Sequence, residues 1–216
     1  MLAAIIPVKR LRLAKGRLAG LLTEVERRAL VLAMFEDVLA ALRGARAVDR
    51  VGVISSEAAV LARAAALGVD ALVDRSGDLN AALAQAAGHY AARGAQAALV
   101  LHADVPLVTG AEIDAFAAAL GGGRGVVLAG ARDGGTNALL ARPPLALPFL
   151  FGAGSLSRHL AAARELGLPA RLFRGRGLAL DVDRPDDLLL LAELEGQTAT
   201  QRLARELSVA ERVMCV

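Results

Sequence analysis

A chain of 216 residues, 56% hydrophobic and 22% charged, is long enough to bury one sizeable core and too apolar to be disordered. It has no run of about 18 uncharged apolar residues, and its apolar N-terminal run precedes its basic residues, the reverse of a signal peptide; with Cys215 the only cysteine, a reducing cytoplasm without disulfides is expected. The formal charge is +3, aromatics are only 3% and the arginines are scattered, which argues against nucleic acid or a membrane as partner and for small anionic substrates.

Leu2–Val8 is a short apolar run with a β-branched centre, predicted as a buried strand. A basic stretch, Lys9 to Arg17, follows as a loop. Thr23 and Glu26 have capping-box spacing, and Leu30, Met34, Val38 and Leu42 recur at helical intervals as far as Gly44. The alternation continues with a strand at Arg50–Ser55, a helix at Glu57–Leu67 and a strand at Asp70–Asp74. It then gives a helix at Asn80–Arg93, a strand at Ala97–His102 and a helix capped by Thr109 with Glu112 and running to Leu120.

Beyond the glycines at 121–125 the pattern loosens. Strands are predicted at Val126–Gly130 and Asn137–Arg142, a loop at Phe149–Ser155 and a helix at Leu156–Leu166. Short strands at Ala170–Phe173 and Leu178–Val182 precede helices at Pro185–Glu195 and Thr198–Leu207. With no linker or repeat, residues 1–216 read as a single α/β domain: a mainly parallel, twisted, Rossmann-like sheet with helices on both faces. Ligands of such sheets bind at the carboxyl ends of the strands, so the loops after Val8, Asp74 and His102 are the first candidates.

Lys9, Arg10, Arg12, Lys15 and Arg17 concentrate positive charge in one such loop, as a triphosphate requires, with Gly16 allowing close approach. The same residues would also serve as a solvated basic turn. No GxxxxGK[ST] motif is present, so the loop is not a P-loop. Asp104 follows one strand, and Asp181 and Asp183 follow another. Carboxylates at strand ends suit a hard divalent ion such as magnesium, although Asp183 before Pro185 is also placed to cap a helix. Gly134, Gly135, Thr136 and Asn137 lead into a strand, and Gly152, Gly154 and Ser155 precede a helix; both segments offer donors to an anion, or are an ordinary turn and cap. His89, His102 and His159 show no metal-ligand spacing.

The stretches PVKRLRLAKGRL, ERRALVLAMFEDVL, GDLNAAL, HADVPL, DGGTNALL, FGAGSLSRH and DVDRPDDL, in this order, resemble the guanylyltransferases of deazaflavin coenzyme F-420 biosynthesis. That resemblance implies a nucleotidyltransferase (GT-A-like) fold, GTP as donor, Mg2+ as cofactor and a small phosphorylated three-carbon carboxylic acid as acceptor. It implies that Lys9, Lys15 and Arg17 hold the triphosphate and that Asn80 lies near the nucleoside. Asp104 and Asp183 would hold the metal, Lys15 would join them in catalysis, and Thr136, Gly152 and Ser155 would hold the acceptor. Gly16, His102 and Arg184 depart from the family pattern, where serine, a small residue and threonine are usual. Phosphoenolpyruvate is the expected acceptor, with 2-phospho-L-lactate and 3-phospho-D-glycerate as alternatives; a homodimer and hand-off of the product to the next enzyme of the pathway are further expectations. Rival readings are a molybdopterin or sugar-alcohol nucleotidyltransferase, which lacks support in an LAGG-type loop, an NAD oxidoreductase, which lacks GxGxxG, and a silent nucleotide-binding relative.

Overall fold

The computed structural model describes residues 1–8 and 15–214. Seven strands form one sheet: β1 (Leu2–Pro7), β2 (Arg50–Ser55), β3 (Asp70–Val73), β4 (Ala97–Leu101), β5 (Gly125–Gly130), β6 (Thr136–Arg142) and β7 (Ala170–Leu172). Their order across the sheet is β3-β2-β1-β4-β6-β5-β7. Every neighbouring pair is parallel except those involving β6, which runs against both β4 and β5.

Period-two alternation sorts the strand side chains onto two faces. Ala4, Ile6, Val53, Leu99, Leu101, Val127 and Leu140 enter one core, under helices α1 (Glu24–Gly44), α2 (Ala58–Ala66), α4 (Gly110–Ala118), α6 (Pro185–Glu193), α7 (Ala199–Glu206) and α8 (Val209–Met214). Ala3, Ile5, Ile54, Val100, Leu128 and Leu139 enter the other, under α3 (Leu79–Ala91) and α5 (Ser155–Glu165). Helices on both faces are therefore borne out. The predicted capping box is formed at α1, where the Thr23 hydroxyl accepts from Glu26 N and the Glu26 carboxylate accepts from Thr23 N. Gly16–Leu18, which continues the basic stretch, is a turn of 3-10 helix, and α8 extends the chain beyond the last predicted helix. No helix among the described residues is long and apolar enough to cross a membrane.

The predicted strand Leu178–Val182 is not one. Its apolar alternation is that of a strand, and Leu178, Leu180 and Val182 are buried, but it joins no strand ladder and is held by side chains and by isolated backbone bonds. The Glu112 carboxylate accepts from Gly177 N and Leu178 N at 3.1 and 3.2 Å. The Asn137 amide donates to the Leu178 carbonyl at 2.9 Å, Ala179 N closes a local turn on the Gly175 carbonyl at 3.1 Å, and Val182 N donates to the Asp104 carbonyl at 2.9 Å. A Cβ on Gly177 would strike both the Glu112 carboxylate and the Leu107 carbonyl, so glycine permits this close approach. Glu112 is thereby drawn away from the helix cap that its spacing from Thr109 suggests; the Thr109 hydroxyl still accepts from Glu112 N.

This attachment delivers Asp183 to the edge of the sheet. Glu112→Ala removes the acceptor of two backbone donors and is expected to lower stability by about 1–3 kcal/mol, read from urea unfolding. An unchanged midpoint would show that the Asn137 and Asp104 contacts hold the segment unaided.

Candidate active site

Three parts of the chain meet at the carboxyl edge of the parallel strands. The first is Lys15, a non-glycine residue in the left-handed region with φ 54° and ψ 41°. Such a conformation costs on the order of 1 kcal/mol and persists where the surroundings compel it. Here they do: the Lys15 ammonium lies 2.8 Å from Asp104 Oδ2 and 2.6 Å from Asp183 Oδ1. Asp104 sits three residues past the end of β4, and Asp183 two residues before α6.

The Lys15 side chain is 8% exposed, against 26% for Asp104 and 37% for Asp183. Burial alone would lower the lysine pKa, but the charges of Asp104 and Asp183 more than offset it, and the ammonium lies above its ordinary value. Burial would likewise raise the Asp104 carboxyl, yet Lys15 beside it holds it below the usual carboxylate range. Asp181 is shifted upward, by burial first and then, against a hydrogen bond from Asn137, by the charges of Asp104 and Asp183. Arg17 reaches Asp183 Oδ2 only at 3.7 Å and remains 60% exposed. Asp183 does not cap α6, since Arg184 holds the cap position and Asp187 Oδ2 accepts from the backbone N–H of both Asp183 and Arg184.

Beside this cluster lies a cleft of ≈ 260 Å³ lined by Pro7, Val8, Leu79 and His102 along with Lys15, Asp104 and Asp183. Leu79 opens α3. Asn80 follows it, but its side-chain amide clamps the Phe151 backbone, accepting from Phe151 N at 2.7 Å and donating to Phe151 O at 3.2 Å. Lys9, Arg10 and Arg12 lie outside the described residues.

Thr136, Gly152 and Ser155 are brought together in a second group, one layer of rings from the cleft. His102, on the cleft wall, packs on Phe151 at 5.1 Å between centroids, and Phe151 meets His159 edge-on at 4.9 Å. Thr136 begins β6 and, because β6 runs backwards, stands at the carboxyl end of β4; its neighbour Asn137 accepts from His102 N. Gly152 has φ 125°, which side chains rarely adopt, in the loop that leads to α5. Ser155 is the first residue of α5, fully buried, and its hydroxyl bonds to Thr136 Oγ1 at 3.0 Å and so does not cap the helix.

Sequence reasoning passed over His159. It is fully buried, with Nδ1 3.2 Å from Thr136 Oγ1 and Nε2 accepting from Leu150 N at 2.9 Å. A signal was present: Ser155 and His159 are spaced i, i+4, so one helix face carries both. Asn137, read with Thr136 as part of a turn offered to an anion, is engaged within the protein instead; its amide reaches Asp181 Oδ1 at 3.2 Å as well as the Leu178 carbonyl.

An open sheet of this strand order, with one reversed strand and an ammonium and carboxylates gathered at its carboxyl edge, defines the nucleotidyltransferase class. Two solved structures share the fold: one assigned as a nucleotide-diphospho-sugar transferase from Desulfovibrio desulfuricans G20 (TM-score 0.82, 16% identity, 98% of this chain and 97% of that one), and a nucleotidyl transferase from Methanothermobacter thermautotroptrophicus (TM-score 0.63, 20% identity, 95% and 99%). The family model described as guanylyl transferase CofC like matches residues 2–212, and the chain belongs to that family. Among its relatives are the phosphoenolpyruvate guanylyltransferases of Sphaerobacter thermophilus (48% identity over 190 residues, 88% of this chain and 91% of the relative) and of Roseiflexus sp. strain RS-1 (46% over 202 residues, 94% and 90%).

Burial, and then the charge of Arg158, pull the His159 pKa down to about 4 from its ordinary 6.5. The unfolded chain therefore takes up the proton first as pH falls. The stability that depends on neutral His159 is complete above pH 6.5 and is lost on descending toward pH 4, by at most about 3 kcal/mol. Urea unfolding at several pH values checks this, and His159→Gln should flatten the profile in that window.

Proposed function

We propose that this chain transfers GMP from GTP to phosphoenolpyruvate and releases pyrophosphate. The observation that carries the reading is the convergence of Asp104 and Asp183, from separate loops, on one buried cation at 2.8 and 2.6 Å, at the strand ends where this family would receive a nucleotide. Relatives at 48% and 46% identity named for the same reaction support the choice of acceptor.

In this reaction an oxygen of the acceptor's phosphate attacks the α-phosphorus of GTP. The bond from that phosphorus to the bridging oxygen breaks, and pyrophosphate leaves with the electron pair. The attacking oxygen is already ionised at neutral pH, so no general base is needed. The obstacle is repulsion between two polyanions, and the protein's task is to neutralise charge and fix the geometry. Lys15 would serve that task once its ammonium is freed for phosphate by a cation on Asp104 and Asp183, and Arg17, exposed and loosely held, is free to turn the same way.

The site also fits a divalent cation. Two carboxylates already share one positive group, and two is the number magnesium commonly takes from protein while substrate oxygens and water complete its shell. Asp104 and Asp183 would hold it, and when bound it would supply charge neutralisation across the phosphate oxygens. Thr136 and Gly152 would receive the acceptor's carboxylate, and Ser155, whose proton goes to Thr136, would support them from behind. The diphosphate-linked product would then be consumed by an enzyme that displaces GMP from it.

The test is purified protein with GTP, magnesium and, separately, phosphoenolpyruvate, 2-phospho-L-lactate or 3-phospho-D-glycerate, with pyrophosphate release and product mass measured. The highest kcat/KM is expected with phosphoenolpyruvate; pyrophosphate release that needs none of the three acids would overturn the reading. Asp104→Asn, which replaces a charged ligand by an amide, is expected to reduce turnover by about a hundredfold or more with the fold retained. Activity within a few-fold of the parent would remove Asp104 from the reaction.

A further inference from the structure

His159 makes no contact with the Lys15 cluster, yet it is the buried junction of every segment assigned to the acceptor. Its Nε2 accepts from Leu150 N at 2.9 Å and so carries no proton. The proton of the neutral ring is therefore on Nδ1, which faces Thr136 Oγ1 at 3.2 Å and the Ser155 backbone one turn earlier in α5. Thr136 Oγ1 also accepts from the Ser155 hydroxyl at 3.0 Å. A threonine hydroxyl has two lone pairs and one proton. With one lone pair taken by the Ser155 hydroxyl and the other facing the Nδ1–H that His159 shares between Thr136 and the Ser155 carbonyl, the Thr136 oxygen has chiefly its proton left to offer.

We infer that His159 is a positioning residue: by fixing its Nδ1–H on Thr136, it holds the Thr136 hydroxyl as an obligatory donor to the carboxylate of the acceptor acid. The inference rests on the acceptor assignment made above. A rotating hydroxyl presents either a lone pair or a proton, and a lone pair turned toward a carboxylate is repulsive. Removing that freedom gives the site a preference for an ionised acid over a neutral or cationic group of the same shape. The same ring, through Leu150 N, ties down the loop that carries Gly152, while Asn80 clamps the next residue, Phe151, from the other side. His159 thus sets the direction of the donor, while the loop facing it is held by Asn80 as well.

Glutamine and asparagine separate the two contacts. Glutamine places a carbonyl near Nε2 and keeps the Leu150 bond; asparagine places an amide N–H near Nδ1 and keeps the Thr136 bond. With GTP saturating and phosphoenolpyruvate varied, Thr136→Val and His159→Gln should each raise the acceptor KM by about tenfold, with the KM for GTP changed less than twofold. His159→Asn should stay within about threefold of the parent, and His159→Gln should add almost nothing in the Thr136→Val background, because the two share one interaction.

Equal losses in His159→Gln and His159→Asn, or full additivity with Thr136→Val, would reduce His159 to a packing residue and overturn the inference. A normal acceptor KM in Thr136→Val would instead overturn the acceptor assignment beneath it. The parent protein offers a check that needs no variant: nitrogen chemical shifts of the His159 ring at neutral pH should report the Nδ1–H form. The Nε2–H form or an imidazolium would exclude the proposed relay.

Discussion

The contact on which the site depends is the ammonium of Lys15 held between two carboxylates from distant parts of the chain. Either carboxylate alone would give the buried ammonium a single counter-charge. Together they compel a lysine into a backbone conformation that residues with a Cβ seldom adopt and keep its side chain almost wholly buried. A buried ion pair of this kind is weak evidence for stability, because desolvation consumes much of the Coulombic gain. Its value is in position, since it brings the end of β1, the loop after β4 and the segment before α6 to one point.

The reversed strand β6 serves the second half of the site. A parallel strand beside β4 would put its first residue at the amino edge, far from Asp104. Running backwards, β6 begins at the carboxyl edge, so Thr136 and Asn137 arrive next to His102 without a long connection. Asn137 then does for the 177–183 segment what a strand ladder would have done, and Thr136 enters the buried hydroxyl and imidazole network under α5.

Much of this was legible in the sequence because it follows from local patterns. The unbroken apolar run of Leu2–Pro7, the Thr23 and Glu26 spacing and the repeats of Leu30, Met34, Val38 and Leu42 are patterns that a short window captures. Lys15, Asp104 and Asp183 were legible as charges at strand ends, although only the fold shows that they touch. What escaped depends on partners far away in sequence. Leu178–Val182 has the alternation of a strand, and nothing local reveals that Glu112 and Asn137 take the places of a neighbouring ladder. Asn80 carries the expected amide, but Phe151, 71 residues on, decides what that amide binds. His159 was passed over because histidines were sought as metal ligands, whereas its function here lies in the tautomer that Leu150 imposes.

The separation along the chain of the groups around Lys15 bears on the order in which the molecule can be completed. Strands β1 to β4 lie within residues 2–101 and pair with one another, so the parallel half of the sheet draws on less than half of the chain. Lys15 and Asp183 are 168 residues apart. A nascent chain emerging from the ribosome can therefore assemble the β1 to β4 part of the sheet well before the second carboxylate exists, and the long loop joining those two residues is the last to close. Until then Lys15 has Asp104 alone as its counter-charge. A fragment ending after β7 at Leu172 would contain all seven strands of the sheet and still lack the group that completes its charge cluster.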